Sequence, residues 1–230
     1  MSNIVITGAN RGIGLELARH YAAQGHKVYA CCRDTAGAAQ LVDLAKTHDV
    51  QLVEVSVGDG NSVDSLAEQL SGVTVDILVN NAGTGGPPRE EQSALVMDFD
   101  GWAETMNINT FAPVRVMQAL LPNLRAAETA KVVNITSQMG ALSLDMTVAY
   151  AYCSSKAALN KFMRMAAIEL AGEDILVCLI HPGWVQTDMG GQAADLTAIE
   201  SAQGIIQTVS KLEASNTGSF WNWNGTTHDW

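Results

Sequence analysis

The chain has 230 residues, of which 47% are hydrophobic and 16% charged, enough apolar content for a substantial core. Its formal net charge of −11 argues against nucleic acid or an anionic membrane as a partner, because a polyanion would be repelled. The four cysteines show neither a disulfide framework nor a metal-binding spacing, and no signal-peptide or membrane-spanning stretch is evident. We therefore predict a cytosolic (cytoplasmic) protein with reduced thiols and no bound metal.

Short apolar, β-branched runs alternate with longer amphipathic stretches along the whole chain. The runs predict strands at residues 3–7, 27–32, 51–55, 76–80, 131–136, 175–180 and 219–223. The stretches between them predict helices at residues 13–24, 35–47, 61–70, 102–127, 152–171 and 198–211. Nearly continuous apolar strands separated by helices are typical of a parallel sheet covered on both faces. The sequence thus predicts an α/β, doubly wound parallel sheet of the Rossmann type.

We expect a single domain, residues 1–230, with a nucleotide-binding part at about 1–95 and a catalytic and substrate part at about 96–230. Two irregular stretches, residues 83–92 and 139–149, follow predicted strands. In such sheets the ligand crevice lies outside the carboxyl ends of the strands, so both stretches should border it.

The first predicted strand, Ile4-Val5-Ile6, runs into Thr7-Gly8-Ala9-Asn10-Arg11-Gly12-Ile13-Gly14. Small residues at a strand-to-helix turn let the backbone approach a pyrophosphate, and the first amides of the helix supply donors. The alternative is a glycine-rich turn that binds nothing. The spacing Gly-x-x-x-Gly-x-Gly differs from the Gly-x-Gly-x-x-Gly of ordinary dinucleotide dehydrogenases.

A phenol and an ammonium lie four residues apart at Tyr152 and Lys156, on one face of a predicted helix. A tyrosine with a pKa of about 10 is a poor acid–base catalyst at neutral pH unless a cation stabilises the phenolate. Tyr150 is the rival phenol, but its position is about 240° around the helix from Lys156. The glycine-rich turn and this pair together indicate proton chemistry beside a bound nucleotide, whereas an exposed Tyr–Lys pair is the alternative.

The glycine-rich turn resembles the fingerprint of the short-chain dehydrogenase/reductase family, and the rest of the chain matches that family in order. The further motifs are Asn80-Asn81-Ala82-Gly83, Asn109 within Asn107-Ile108-Asn109-Thr110-Phe111, Ile135-Thr136-Ser137 and Pro182-Gly183-Trp184-Val185-Gln186-Thr187-Asp188-Met189. Within the family, Tyr150-Ala151-Tyr152, the run from His181 to Trp184 and the tail ending at Trp230 look most like the Sniffer and C-factor group of carbonyl reductases.

The resemblance implies a carbonyl reductase, or the reverse alcohol dehydrogenase, acting on a small molecule. It implies that Tyr152 donates the proton, Ser137 holds the carbonyl oxygen, Lys156 binds the nicotinamide ribose and lowers the tyrosine pKa, and Asn109 positions a water in the proton relay. The cofactor-binding residues it implies are Gly8, Asn10, Arg11, Gly12, Ile13, Gly14, Arg33, Asn81, Ala82, Gly83, Tyr152, Lys156, Pro182, Gly183, Val185 and Thr187.

Two of these roles have rivals. Ser143 competes with Ser137, which lies 15 residues before Tyr152, slightly more than the usual gap in the family. A strand-end position nevertheless suits a preorganised hydroxyl better than a mid-loop one. Asn109 could instead hydrogen-bond locally within its own helix.

The choice of cofactor depends on the end of the second strand. An NAD-preferring site places a carboxylate there for the ribose 2′-hydroxyl. This chain has Cys31-Cys32-Arg33 instead, and Arg33 with Arg11 could clamp a 2′-phosphate, so we predict NADP(H) over NAD(H). The alternative is that both are ordinary surface arginines. Asp34, which follows Arg33, would also weaken a phosphate site.

Ser56 stands where the family usually has an aspartate near the adenine, a role that we do not transfer to Asp59. Three further features are interpreted as structural. His181 is expected to be a hydrogen-bonded residue near the core, and Cys153 to be a packing residue. The last is the group Trp221, Trp223 and Trp230, expected to form a final strand with aromatic packing and part of a subunit contact.

Only eight residues separate Met189 from the predicted helix at Ala198, too few for a helical lid. We expect an open site walled by residues 83–89 and 139–149 and by Trp184, which accepts apolar or aromatic ketones and aldehydes. The apolar faces of residues 102–127 and 152–171 predict a homo-oligomer, either a dimer or a tetramer. The alternative to an open site is therefore a lid whose residues come from a neighbouring subunit. The rival functions are a cofactor-binding sensor or developmental signal with little turnover, and an isomerase or dehydratase.

Overall fold

The computed structural model describes all residues from Met1 to Trp230 and contains one parallel sheet of seven strands. The strand order is β3-β2-β1-β4-β5-β6-β7, so successive strands are added on one side of β1 up to β3 and on its other side from β4 onward. The strands are β1 Asn3–Thr7, β2 Lys27–Cys32, β3 Val50–Glu54, β4 Ile77–Asn80, β5 Ala130–Ile135, β6 Ile175–His181 and β7 Phe220–Asn222. The doubly wound α/β prediction is confirmed, and every predicted strand boundary lies within one residue of the observed one.

Helices cover both faces of the sheet. They are α1 Gly12–Ala23, α2 Ala39–Ala45, α3 Gly60–Gln69, α4 Phe99–Met106, α5 Ala112–Ala119, α6 Leu121–Arg125, α7 Tyr150–Leu170 and α8 Ala198–Ser210. One apolar cluster joins the sheet to α3, α5 and α7, and the other joins it to α1, α2 and α8. Successive strand residues face opposite clusters, so Cys31 lies in the first and Cys32 in the second, as alternation requires. None of the helices has the apolar length needed to span a membrane.

The single long helix predicted at residues 102–127 is wrong, because the segment is divided into three. A π-helical turn, Asn107–Phe111, follows α4, and α5 then ends at Ala119, before the short helix α6 that has a proline in its first turn. A π-turn inserts an extra residue without a composition signal, and such turns are frequent at functional sites. Helix α2 is also shorter than predicted, because the Asp34 carboxylate accepts a hydrogen bond from the Gly37 amide and fixes a turn before it.

The final strand predicted at the tail is confirmed as β7, but its three tryptophans do not form one cluster. Trp221 and Trp223 pack against the cluster on the α1 and α8 face, whereas Trp230 packs against the cluster on the α7 face. Alternation along β7 and the turn after it sends these rings to opposite sides. Trp230 instead lies 5.5 Å from the Phe220 ring and 4.7 Å from the Arg164 guanidinium.

Candidate active site

The glycine-rich turn after β1 is held against the loop after β4. The Asn81 side-chain amide donates to the carbonyl oxygens of Thr7 and Gly8 at 2.9 and 3.1 Å. The backbone amides of Asn81 and Ala82 both donate to the Thr7 hydroxyl. A Cβ at Gly8 would lie 2.9 Å from the Ala82 Cα, so only glycine allows this approach. The Asn-Asn-Ala-Gly motif therefore fixes the backbone of the glycine-rich turn through these hydrogen bonds.

The N-terminus of α1 is open to an anion. Its N-cap residue, Arg11, makes no side-chain cap, and the first turn contains no acidic residue. The first amides of a helix have no intrahelical partner and favour a negative charge. Gly12 has a φ of +54°, which only glycine adopts without strain, and Gly14 packs against the Gly8 carbonyl with no room for a side chain. Uncapped donors on a close-packed backbone fit a pyrophosphate.

The two arginines predicted to bind a 2′-phosphate have different surroundings. Arg11 forms an ion pair with Asp188 at 2.5 Å rather than extending toward Arg33, so the structure does not show the predicted clamp. Arg33 is exposed at the end of β2 and is in none of the ion pairs. Asp34 caps the turn at Gly37, so its carboxylate is already hydrogen-bonded.

Ser56, which stands where the family usually has an aspartate near the adenine, is held by a hydrogen bond of its backbone amide. The Ser56 amide donates to the Ser62 hydroxyl at 2.9 Å. The Asp59 carboxylate accepts from the Asn61 amide and caps α3. Asp59 is therefore a helix-capping residue, which agrees with leaving the adenine role unassigned.

The three main catalytic candidates meet at the carboxyl end of β5. Ser137 is buried and begins a short 3₁₀ turn, Gln138–Gly140. The Ser137 side chain acts on the Tyr152 phenol and lowers its pKa, and the Lys156 amine lies 5.8 Å from the centre of the tyrosine ring. Lys156 is only 5% exposed and donates to the Ile135 carbonyl oxygen at 2.9 Å. Helix α7 and strand β5 thus bring a hydroxyl, a phenol and an amine together.

Burial shifts both titratable groups in this cluster. It raises the pKa of Tyr152, and the hydrogen bond from Ser137 acts in the opposite direction. It lowers the pKa of Lys156 to about 8, so the amine is still mainly protonated at pH 7. The Lys156 amine lies 5.8 Å from the centre of the Tyr152 ring, which is close enough for a protonated amine to favour the phenolate.

Asn109 is fully buried in the π-turn and does not bond within its own helix, so that alternative is wrong. Its amide donates to the Thr84 carbonyl at 2.8 Å and to the Ser155 hydroxyl at 3.0 Å, and its oxygen accepts from the Thr84 amide. A Cβ at Gly83 would lie 3.2 Å from this oxygen and 3.9 Å from the Lys156 amine. Asn109 therefore joins the loop after β4 to helix α7, and Gly83 lies beside both the asparagine oxygen and the lysine amine.

The loop after β6 closes against the glycine-rich turn. Gly183 has a φ of +87°, and Val185 is buried in a bridge with Leu196. The Pro182 carbonyl accepts from Ser201 of α8. A Cβ at Gly12 would lie 3.1 Å from the Thr187 methyl group. The Thr187 contact and the ion pair between Arg11 and Asp188 place the end of this loop beside the α1 N-terminus, while Asn10 and Ile13 lie on the turn itself.

The rival candidates lie elsewhere or are engaged in packing. Ser143 is exposed, and its backbone amide donates to the Trp230 carbonyl. Cys153 donates its thiol to the Val148 carbonyl, and burial raises its pKa, so it is not a thiolate at neutral pH. His181 is buried as expected, but its Nδ1 has no partner, so the predicted hydrogen-bonded state is wrong. Burial and the neighbouring His228 lower its pKa to about 4.

Sequence reasoning missed the polar residues that hold the site together, namely Thr84, Ser155 and Asn160. Each is hydrogen-bonded to a predicted site residue or to its immediate neighbours. Sequence spacing could have indicated Asn160, because it lies four residues after Lys156 on the same buried face of α7. No group of three or more His, Cys, Asp or Glu residues is arranged to hold a metal ion.

Comparison with known proteins agrees with this geometry. The family described as short chain dehydrogenase matches residues 2–197. The chain is 41% identical over 158 residues to the protein named C-signal from Myxococcus xanthus, which covers 68% of this chain and 93% of that protein. The NADPH-bound carbonyl reductase from chicken fatty liver has a TM-score of 0.92 at 33% identity, covering 100% of this chain and 99% of that one. The carbonyl reductase Sniffer of D. melanogaster has a TM-score of 0.91 at 31% identity, with both chains covered completely.

Proposed function

The chain belongs to the short-chain dehydrogenase/reductase family, and from that membership we propose that it is an NADPH-dependent carbonyl reductase. It reduces ketones or aldehydes to alcohols, or runs the reverse oxidation. The observation that carries the proposal is the convergence of Ser137, Tyr152 and Lys156 at the carboxyl end of β5, beside an uncapped glycine-rich helix terminus.

The residues at the strand ends suit a nicotinamide nucleotide. The free amides of α1 would hold the pyrophosphate, Arg33 the 2′-phosphate, and the loop at residues 182–187 the nicotinamide end. Lys156 would hold the ribose, since its amine uses one of three donors on Ile135. The bound cofactor supplies the hydride. The NADPH-bound chicken carbonyl reductase supports this choice of nucleotide by its likeness to the chain.

Tyr152 is the proton donor in this proposal. A raised pKa keeps the phenol protonated at neutral pH, which is the form that reduction requires. As negative charge develops on the substrate oxygen, Ser137 donates a hydrogen bond to it and Tyr152 transfers its proton. The Lys156 ammonium then favours the phenolate that is left behind.

The hydrogen bonds of Asn109 limit how its side chain can bind a relay water. Both N–H groups of its side chain are already donated, to Thr84 and Ser155. A relay water at this side chain must therefore donate to the free lone pair of its oxygen, which lies beside Gly83.

We propose apolar or aromatic carbonyl compounds as substrates. Leu142 is 88% exposed, and Leu144, Met146, Trp184 and Met189 also present apolar surface near the site. The short loop after Met189 folds back on Trp184, whose indole donates to the Gly190 carbonyl, and does not form a lid. An open, apolar rim discriminates weakly between substrates that differ by a methylene.

A panel of aromatic, aliphatic and polyol carbonyl compounds, assayed by NADPH consumption at 340 nm, tests the proposal. We expect turnover of several apolar members with modest selectivity among them. Strong activity on one polyol carbonyl and none on the apolar set would overturn the substrate class.

A second candidate is a signalling protein that binds the nucleotide with little turnover, favoured by the 41% identity to C-signal. A pure binding protein has no need of a half-buried phenol beside a buried amine in this arrangement. Tight nucleotide binding with no absorbance change across the whole panel would favour the second candidate.

A further inference from the structure

Asn160 lies one turn beyond Lys156 on α7, and its side chain joins the two ends of the segment that carries Ser137. The Thr136 hydroxyl donates to the Asn160 oxygen at 2.6 Å, and the Asn160 amide donates to the Gly140 carbonyl at 3.3 Å. Asn160 is only 3% exposed, so both bonds are shielded from water. One side chain therefore ties the residue before Ser137 and the last residue of its 3₁₀ turn to the catalytic helix.

The backbone of the same turn is packed against α7 without slack. A Cβ at Gly140 would lie 2.7 Å from the Lys156 carbonyl carbon and 3.0 Å from the Ala157 amide. The Gly140 amide donates to the Ser137 carbonyl, and the Met139 amide donates to the Ser137 hydroxyl. Without the Asn160 bonds, this close contact would be the remaining restraint that α7 places on the turn.

We propose that Asn160 is a positioning residue that fixes the Ser137 hydroxyl against Tyr152. It touches neither substrate nor cofactor and acts through the Ser137 turn. The inference rests on the proposed function, because it assumes that Ser137 and Tyr152 act on the same carbonyl oxygen. A misplacement of about 1 Å can cost about a hundredfold in rate, so a loosened turn should be visible in kcat.

Asn160→Leu removes both hydrogen bonds at similar volume, and Asn123→Leu is the matched control. Asn123 is also buried and donates two bonds, to Leu70 and Val73, but it lies on α6, away from the Ser137 turn. We expect kcat to fall at least tenfold in Asn160→Leu, with NADPH affinity within about twofold of wild type. Asn123→Leu should lower stability and leave kcat within about twofold.

A double-mutant cycle with Ser137→Ala separates positioning from general destabilisation. If Asn160 acts through Ser137, Asn160→Leu has little further effect on kcat once Ser137 is alanine. Full additivity of the two substitutions, or an equal kcat loss in Asn123→Leu, overturns the proposal.

Hydrogen exchange of the segment 136–141 provides a test that needs no turnover. Asn160→Leu should speed exchange of the Met139 and Gly140 amides, and Asn123→Leu should not. Unchanged exchange in Asn160→Leu contradicts the inference even if no carbonyl substrate is ever found. A failure of the proposed function is recognised separately, by full activity in Tyr152→Phe.

Discussion

Arg11 and Asp188 form an ion pair, with Nη1 and Oδ2 2.5 Å apart, that joins the glycine-rich turn to the loop after β6. The two residues are 177 positions apart in the chain. Both side chains are largely exposed, so the pair is worth at most about 1 kcal/mol. Because this ion pair is weak, the Arg11 guanidinium can leave Asp188 and bind a phosphate group instead.

We predict that Asp188→Asn binds NADPH about two- to fivefold tighter than wild type and leaves NADH affinity unchanged. Loss of the carboxylate frees Arg11 for the 2′-phosphate, which NADH lacks. Fluorescence titration with both nucleotides measures this effect. Asp195→Asn, an exposed carboxylate of the same loop without an ion pair, is the control. Weaker or unchanged NADPH binding in Asp188→Asn would show that Arg11 does not reach the phosphate.

Arg33→Ala should weaken NADPH binding about tenfold or more and spare NADH, because a hydrogen bond to a charged group is worth about 1.5–3 kcal/mol. Lys46→Ala, which removes an exposed cation at the end of α2, is the control. If Arg33→Ala weakens NADPH and NADH binding equally, or if the wild type binds NADH more tightly, the proposed preference for NADPH is wrong.

Lys156→Met should raise the free energy of unfolding at pH 7 by about 1–3 kcal/mol while activity is lost. Burial lowers the lysine pKa from 10.5 to about 8, so below pH 8 folding carries the cost of a buried charge. Between pH 8 and 10.5 the unfolded chain binds more protons, so this cost fades as the pH rises. Urea denaturation of both proteins at pH 7 and pH 9.5 measures the difference, which should shrink at the higher pH. A constant difference would mean that the amine is not a buried cation.

We predict a homodimer or larger assembly formed by the exposed apolar faces of the π-turn and α7. Phe111, Phe162, Met165 and Ile168 are all between 41% and 75% exposed. Light scattering at micromolar concentration should show the oligomer, and Met165→Asp should dissociate it. Val42→Asp, on α2, replaces another exposed apolar residue and should leave the assembly intact. A monomeric wild type would exclude this assembly.

The sequence predicts the sheet closely because its strands are buried β-branched runs with clear boundaries. The strands predicted at residues 3–7 and 27–32 match the observed bounds at both ends. The π-turn at Asn107–Phe111 was not predictable in this way, because a single extra residue in a helix has no composition signal of its own.

The side-chain network of the site was only partly predictable. Motif spacing identifies Tyr152 and Lys156, but pairings such as Arg11 with Asp188, or Asn160 with Thr136 and Gly140, form between segments distant in sequence. The effect of Lys156 on the tyrosine pKa was expected from helix spacing alone. Burial, which spacing does not report, dominates both groups.

The central claim is that the Tyr152 hydroxyl donates the proton to a carbonyl substrate. Its most direct test is Tyr152→Phe, which removes one oxygen and keeps the ring, assayed with a carbonyl compound that the wild type reduces. We predict that kcat falls at least a hundredfold, in line with about 10²–10⁴ for general acid catalysis, while NADPH still binds. Tyr150→Phe, the neighbouring phenol at the start of α7, should keep kcat within about twofold of wild type. Turnover by Tyr152→Phe close to that of the wild type would contradict the mechanism.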